Sequence, residues 1–196
     1  MKLLLVRHGE TVQNVNKIIQ GQSDGELTEN GINQTVRLAE RLKNAELNQI
    51  YSSDLQRTID TTNAVIKYHD SVKMITDVRL RERYFGNLEG NTFPSDFDWN
   101  NLPEGVESNE SMYKRAKDFF NDIYKNHSNE TVLIVTHGGL LKAFFLIMFN
   151  KPVEDFYSWR GIKNTALSIF EIKNQDEIMC RELNSVTHFE DIDEAL

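Results

Sequence analysis

Two short runs, each a histidine followed by glycine, stand at the ends of apolar stretches: Val6-Arg7-His8-Gly9-Glu10-Thr11 and Val135-Thr136-His137-Gly138-Gly139. A neutral imidazole offers a lone pair near pH 7, so it can act as nucleophile or base, and it can also donate to an anion. A lone histidine at a strand end is ordinarily structural, but a second end bearing the same dipeptide weakens that explanation. Arg7 directly follows apolar residues, where a guanidinium is costly to bury unless an anion meets it. Arg57 falls in Ser52-Ser53-Asp54-Leu55-Gln56-Arg57-Thr58, in the first turn of an expected helix. A cation there opposes the helix dipole, and an anion held at that N-terminus resolves the conflict. A salt bridge to one of the 30 acidic residues would satisfy either arginine taken singly. Two arginines, two histidines and helix N-termini taken together describe a phosphate cradle.

Such a cradle needs elements to build it. In open α/β sheets ligands bind where strands end and helices begin, so both histidines reach one crevice only if their strands are neighbours. Apolar runs alternate with helix-period segments along the chain, which predicts a three-layer α/β/α sandwich with a mostly parallel central sheet. Strands are expected at Leu3 to Val6, Leu47 to Tyr51, Val72 to Val78, Thr131 to Val135, Ala166 to Ile172 and Glu177 to Leu183. Thr28 is placed to cap a helix with Ile32, Val36, Ala39 and Leu42 on one face. Further helices are expected with Leu55, Ile59, Thr62 and Ile66 on one face, with Met112, Ala116, Phe119 and Ile123 on another, and from Gly138 onward as core. Residues 86–110 break the rhythm with Pro94, Pro103, glycines and the aromatics Phe93, Phe97 and Trp99, and read as a loop-rich insertion or cap. The tail from Glu190 is acidic.

At 196 residues the chain is expected to form one domain, residues 1–196, carrying that insertion. Hydrophobic residues at 39% and charged residues at 27% allow a sizeable core and argue against general disorder. A net charge of −8 argues against sequence-independent binding to nucleic acid or anionic lipid, yet leaves room for a small phosphorylated partner held by a few arginines. One cysteine excludes an internal disulfide and a cysteine-based zinc cluster. No apolar run approaches the length of a membrane span or a signal-peptide core, so a cytoplasmic location is expected. No metal or other cofactor is expected. His-Glu-x-x-His is absent, and so is the Gly-rich phosphate loop of nucleotide kinases.

The residues also resemble a known family, the histidine phosphatase superfamily or phosphoglycerate mutase-like clan. Arg7-His8-Gly9-Glu10-Thr11 is similar to its signature. Gly21 with Leu27-Thr28-Glu29-Asn30-Gly31, Ser52-Ser53-x-Leu55-x-Arg57-Thr58, Leu80-Arg81-Glu82-Arg83-x-x-Gly86-x-x-Glu89-Gly90 and His137-Gly138-Gly139 follow in family order. Asn184 to Phe189 resembles its C-terminal segment, so the likeness runs from about residue 2 to 189. It implies that His8 accepts the phosphoryl group. Arg7, Arg57 and His137 would bind its oxygens, with Asn14, Gln20, Gly21 and Gly138 assisting. Glu82 would donate a proton to the leaving oxygen and then serve as base for water. Glu82 must hold a proton in order to donate it.

The implied activity is hydrolysis of phosphomonoesters of small metabolites through a phosphohistidine. Two other readings stand beside it: a phosphoglycerate-type mutase, and a binding module for phosphorylated ligands without catalysis. Asp54 stands where many relatives have proline, and Arg81-Glu82-Arg83 adds cations around the proposed acid. Both features are similar to the fructose 2,6-bisphosphatase-like branch, whose substrates carry two phosphates. The plainer account makes Arg81 and Arg83 surface ion-pair partners. Gly21-Gln22-Ser23-Asp24-Gly25 also matches the serine-hydrolase elbow, which demands a strand just before it and a helix just after.

Overall fold

A computed structural model describes residues 1–159, 161–174 and 176–192. Among the described residues six strands form one sheet in the order β3-β2-β4-β1-β5-β6. They are β1 (Lys2–Arg7), β2 (Gln49–Ser52), β3 (Met74–Thr76), β4 (Thr131–Thr136), β5 (Leu167–Asn174) and β6 (Glu177–Ser185). The first four pair in parallel, while β5 is antiparallel to β1 and β6 antiparallel to β5. Five α-helices among the described residues accompany them: α1 (Val12–Val15), α2 (Glu29–Leu42), α3 (Gln56–Ile66), α4 (Asn109–Asn126) and α5 (Gly138–Met148).

Side chains alternate across a strand, so a strand buried on both faces reads as a continuous apolar run. Leu3 and Leu5 of β1, with Val132 and Ile134 of β4, join one core that α4 and α5 cover. Leu4 and Val6, with Leu133 and Val135, join the opposite core, covered by α2 and α3. Those two cores make the three layers. Met112, Ala116, Phe119 and Ile123 of α4 are buried as the spacing predicts, and α5 is apolar nearly all round because the core encloses it. Among the described residues no helix is long and apolar enough to cross a membrane.

Several expectations need correction. Only Met74–Thr76 of the expected Val72 to Val78 strand pairs into the sheet. On α2, Thr28 caps as expected, but the buried stripe is Gly31, Thr35, Leu38, Ala39 and Leu42, and Ile32 and Val36 are exposed. The helix is rotated because the turn after β1 lies against it: a Cβ at Gly31 would collide with the Glu10 carbonyl oxygen. On α3 the buried face is Arg57, Thr58, Thr61, Thr62, Ala64 and Val65, with Ile59 and Ile66 only half-buried. Threonine can be buried there because its hydroxyl bonds the preceding turn, as Thr61 does to the Arg57 carbonyl and Thr62 to that of Thr58. Residues 86–108 hold one 3-10 turn and no strand, with Phe93, Phe97 and Trp99 packed on one another. Residues 193–196 of the acidic tail lie outside the described residues.

Candidate active site

The register of β1 against β4 sets Arg7 opposite Thr136, so the chain leaves both strands side by side and His8 and His137 follow directly. Their ring centroids lie 5.2 Å apart. On the other side of β4, Ser52 pairs with Val135, and the turn from β2 delivers Arg57 into the first turn of α3. Three neighbouring strand ends therefore bring Arg7, His8, Arg57 and His137 together.

Each group is oriented by neighbours. The His8 Nδ1 lies 2.7 Å from the Gly9 carbonyl oxygen, which can only accept. Nδ1 therefore carries the proton and Nε2 keeps the lone pair. Burial pushes the His8 imidazole well below its usual range, and the charges of Arg57 and Arg7 push the same way. His137 is also driven well below its usual range, by burial first and then by Arg57. The turn after His8 is held by Gly9 N donating to Thr61 Oγ1 (3.0 Å) and by Asn164 Nδ2 donating to the His8 carbonyl (3.0 Å).

Arg57 donates from Nη2 to the Gly21 carbonyl (2.7 Å) and from Nη1 to that of Ser23 (2.9 Å). Burial brings its pKa down to about 10, so it remains a cation near neutrality. Arg7 donates from Nη1 to the Ile162 carbonyl (2.6 Å), and burial lowers its pKa against the opposing pull of Glu82. Glu82 reaches the α5 N-terminus: Oε2 accepts from Gly139 N (2.9 Å) and Oε1 from Arg83 N (2.8 Å). A Cβ at 139 would strike Glu82 Oε1, so a larger residue there would have to push the Glu82 carboxyl out of this position.

A cleft of about 340 Å³ opens over this group, lined by Arg7, Asn14, Gln20, Gly21, Glu82 and Gly138 among others. His8, Arg57 and His137 are buried beside those lining residues. Asn14 Nδ2 and Thr11 Oγ1 both donate to Gln20 Oε1, which fixes that amide at the rim. Arg83 and Lys142 also line the cleft, and most of the remaining wall is apolar or aromatic: Ile18, Phe85, Phe93, Trp99, Phe156 and Tyr157 include the aromatics of the 86–110 segment.

Five buried side-chain nitrogens have no hydrogen-bond partner among the described residues, and four belong here: Arg7 Nε, Arg57 Nε and both ring nitrogens of His137. Buried polar groups are nearly always satisfied, and a concentration of unsatisfied cationic or imidazole groups calls for an acceptor from outside the chain. A tetrahedral oxyanion has that shape and charge. Among the described residues no group of three His, Cys, Asp or Glu side chains could hold a metal ion.

Of the two arginines flanking Glu82, only Arg83 departs from the plain ion-pair account. Arg83 is not a surface partner: it is 2% exposed, donates to the Glu107 carbonyl and to Asn109 Oδ1, and lies over the Phe156 ring. Arg81 does form an ion pair, in bidentate fashion with Asp54 (2.7 and 2.5 Å), so the two departures from the family pattern account for each other. Arg83 lines the cleft, whereas Arg81 does not. Ser23 sits in a turn, donating to the Gln20 carbonyl, and α2 begins only at Glu29, so the serine-hydrolase elbow is absent. Reasoning from sequence missed Asn164, which also bonds Asn14, and Arg115 of α4, which grips the segment bearing Glu82. Both act through backbone carbonyls or amides brought near only by the fold.

Fold and site together define a phosphate-handling α/β protein with paired histidines at adjacent strand ends. Residues 3–185 match the histidine phosphatase superfamily (branch 1), and the chain belongs to that superfamily. It is similar to the metal-independent phosphoserine phosphatase of Arabidopsis thaliana, 37% identical over 193 residues that cover 91% of this chain and 79% of that protein. Bacillus stearothermophilus YhfR superposes with a TM-score of 0.88 at 32% identity, covering 95% of this chain and 98% of its own. A phosphoserine phosphatase from Entamoeba histolytica, solved with 3-phosphoglyceric acid, gives a TM-score of 0.84 at 28% identity and covers 95% and 98% of the two chains.

Proposed function

We propose that the protein is a phosphoric monoester hydrolase for small phosphorylated metabolites, working through a phosphohistidine on His8. The observation that carries this reading is the convergence of unsatisfied Arg7, Arg57 and His137 nitrogens beside an imidazole whose Nε2 is left with its lone pair. In the first step His8 Nε2 forms a bond to phosphorus, the bond from phosphorus to the ester oxygen breaks, and Glu82 gives that oxygen a proton. In the second step water attacks phosphorus, Glu82 takes the water's proton, and the nitrogen–phosphorus bond breaks to return His8 and release phosphate. The Arg7 and Arg57 guanidinium groups and an N–H of His137 hold the phosphoryl oxygens, and fixed charges and donors of this kind supply most of the stabilisation in phosphoryl transfer. Asn14, Gln20, Gly21 and Gly138 complete the rim. In this reading residues 1–196 are one catalytic domain, and 86–110 is its cap, setting the apolar wall that meets the rest of the substrate.

Rapid quenching without acid, with labelled substrate and chelator present throughout, tests the proposal. Label on His8 that survives alkali and is lost in acid, together with free phosphate in turnover, is the expected result. His8→Ala should lose label and turnover, while His137→Ala should still label, more slowly. Label on Ser23 or Ser53, or full activity in His8→Ala, would overturn the assignment. Phosphate moved within the substrate and never released would make the protein a mutase. No label and no turnover in the unaltered protein would make it a binder.

A further inference from the structure

Glu82 rides on a segment that no strand supports: residues 81–85 run between two single-turn 3-10 helices, Val78–Leu80 and Gly86–Leu88. A side chain from α4 holds this segment instead. Arg115 Nη1 donates to the carbonyls of Arg79 (2.7 Å) and Arg81 (2.6 Å), and Nη2 donates to the carbonyl of Glu82 itself (3.1 Å). Nε and Nη2 donate in addition to Glu107 Oε1 and Oε2, at 2.7 and 2.9 Å. All five N–H groups of the guanidinium are thereby engaged. Glu107 in turn accepts from Tyr84 N and Ser111 Oγ, so the pair brackets the chain on both sides of Glu82. Both side chains are largely buried, at 17% and 12% exposure, where such a pair resists water and salt.

We infer that Arg115 is a positioning residue for the proton-transfer step, holding the 79–82 main chain so that the Glu82 carboxyl meets both the Gly139 amide and the leaving oxygen. This rests on Glu82 being the proton donor proposed above. A displacement of about 1 Å in a reacting group can cost ~10²-fold in rate. Lysine keeps the charge but presents one ammonium in place of a planar fork, so it cannot hold three carbonyls and a carboxylate at once. Arg115→Lys therefore separates geometry from charge.

The test compares kcat/KM for an alkyl phosphate, whose alkoxide must be protonated to leave, with kcat/KM for p-nitrophenyl phosphate, whose phenolate leaves unaided. Taking the ratio within one preparation cancels any unfolded fraction. Glu82→Gln, measured alongside, should lower the alkyl/aryl ratio ~10²-fold or more. Arg115→Lys should lower the same ratio at least ~10-fold, and should add nothing to it in the Glu82→Gln background, because residues acting through one group are not additive. Glu107→Gln, which keeps the shape and weakens the grip, should lower the ratio in the same direction and carries the test if Arg115→Lys fails to fold. Equal loss on both substrates in Arg115→Lys, or an undiminished effect in the Glu82→Gln background, would overturn the inference. A ratio unchanged in Glu82→Gln would remove Glu82 as donor, so the underlying reading would fail first and the inference with it.

Discussion

Arg57 is committed to the protein through two of its nitrogens and leaves the third without a partner among the described residues. The two terminal nitrogens are held by the Gly21 and Ser23 carbonyls, which fixes the guanidinium plane, while Nε is buried. Arg57→Lys would keep a positive charge near the same place but lose the fixed fork. We predict a fall of ~10²–10³-fold in kcat/KM, with weaker competitive inhibition by inorganic phosphate. Steady-state kinetics check both, and an unchanged inhibition constant would show that Arg57 does not touch the anion. Arg57 was legible from sequence because a cation in the first turn of a helix contradicts the dipole. His8 and His137 were legible in the same way as histidines at strand ends, and the fold brings their rings to 5.2 Å. Arg115 and Asn164 left no such mark. Arg115 is an ordinary polar residue of α4 and Asn164 one of the turn before β5, and their meaning depends on which carbonyls or amides the fold carries close to them.

At the scale of elements, legibility followed burial on both faces. Leu3 to Val6 and Thr131 to Val135 were recognisable as strands because layers on both sides leave no polar position to blur the run. α4 was legible because its stripe faces one uniform core. The faces of α2 and α3 were misjudged for a common reason: the site needs small or hydroxyl-bearing residues beneath the β1 turn. Gly31, Thr35 and Thr61 occupy the inner face while Ile32 and Val36 of α2 stay outside. Periodicity finds the most apolar stripe, and here that was not the inner one. The start of α2 is set more locally. Thr28 Oγ1 accepts from Gly31 N (2.9 Å) and donates to Glu10 Oε1 (2.8 Å), tying the helix to the loop after His8. Thr28→Ala should cost about 1 kcal/mol in urea unfolding, within the usual range for a lost cap, while Thr28→Ser should restore most of it. A loss within error for Thr28→Ala would show that the helix start is held from elsewhere.

For the molecule as a whole, sequence could state only a condition: the two histidines meet if their strands are neighbours. Strand order is a tertiary fact, and the placement of β1 beside β4 fulfils that condition. The resulting burial has a global consequence in pH. His8 and His137 are held well below the ordinary histidine value by burial and nearby arginines, and His188 is brought down to about 4 by burial and Arg41. At His188 the geometry explains the direction. Arg41 Nη1 can only donate, so Nδ1 must accept from it, and Nε2–H points to Thr165 Oγ1. A second ring proton would face the Arg41 donor. The folded-state pKa lies below the unfolded value of about 6.5, so between them the unfolded chain binds more protons. The stabilisation is complete above about 6.5 and is lost as pH falls through that window. Carboxylates held low by arginines, such as Asp54 beside Arg81, lose their contribution in the same direction at lower pH. Unfolding free energy measured in phosphate-free buffer should therefore fall from pH 7 to pH 5. Each histidine proton adds at most about 1.4 kcal/mol per pH unit to the slope. His188→Gln keeps one acceptor and one donor without a titrating ring, and should flatten the slope between pH 4.5 and 6.5. A slope unchanged in His188→Gln, or stability that rises as pH falls through 6.5, would show that these imidazoles are not held neutral by the fold.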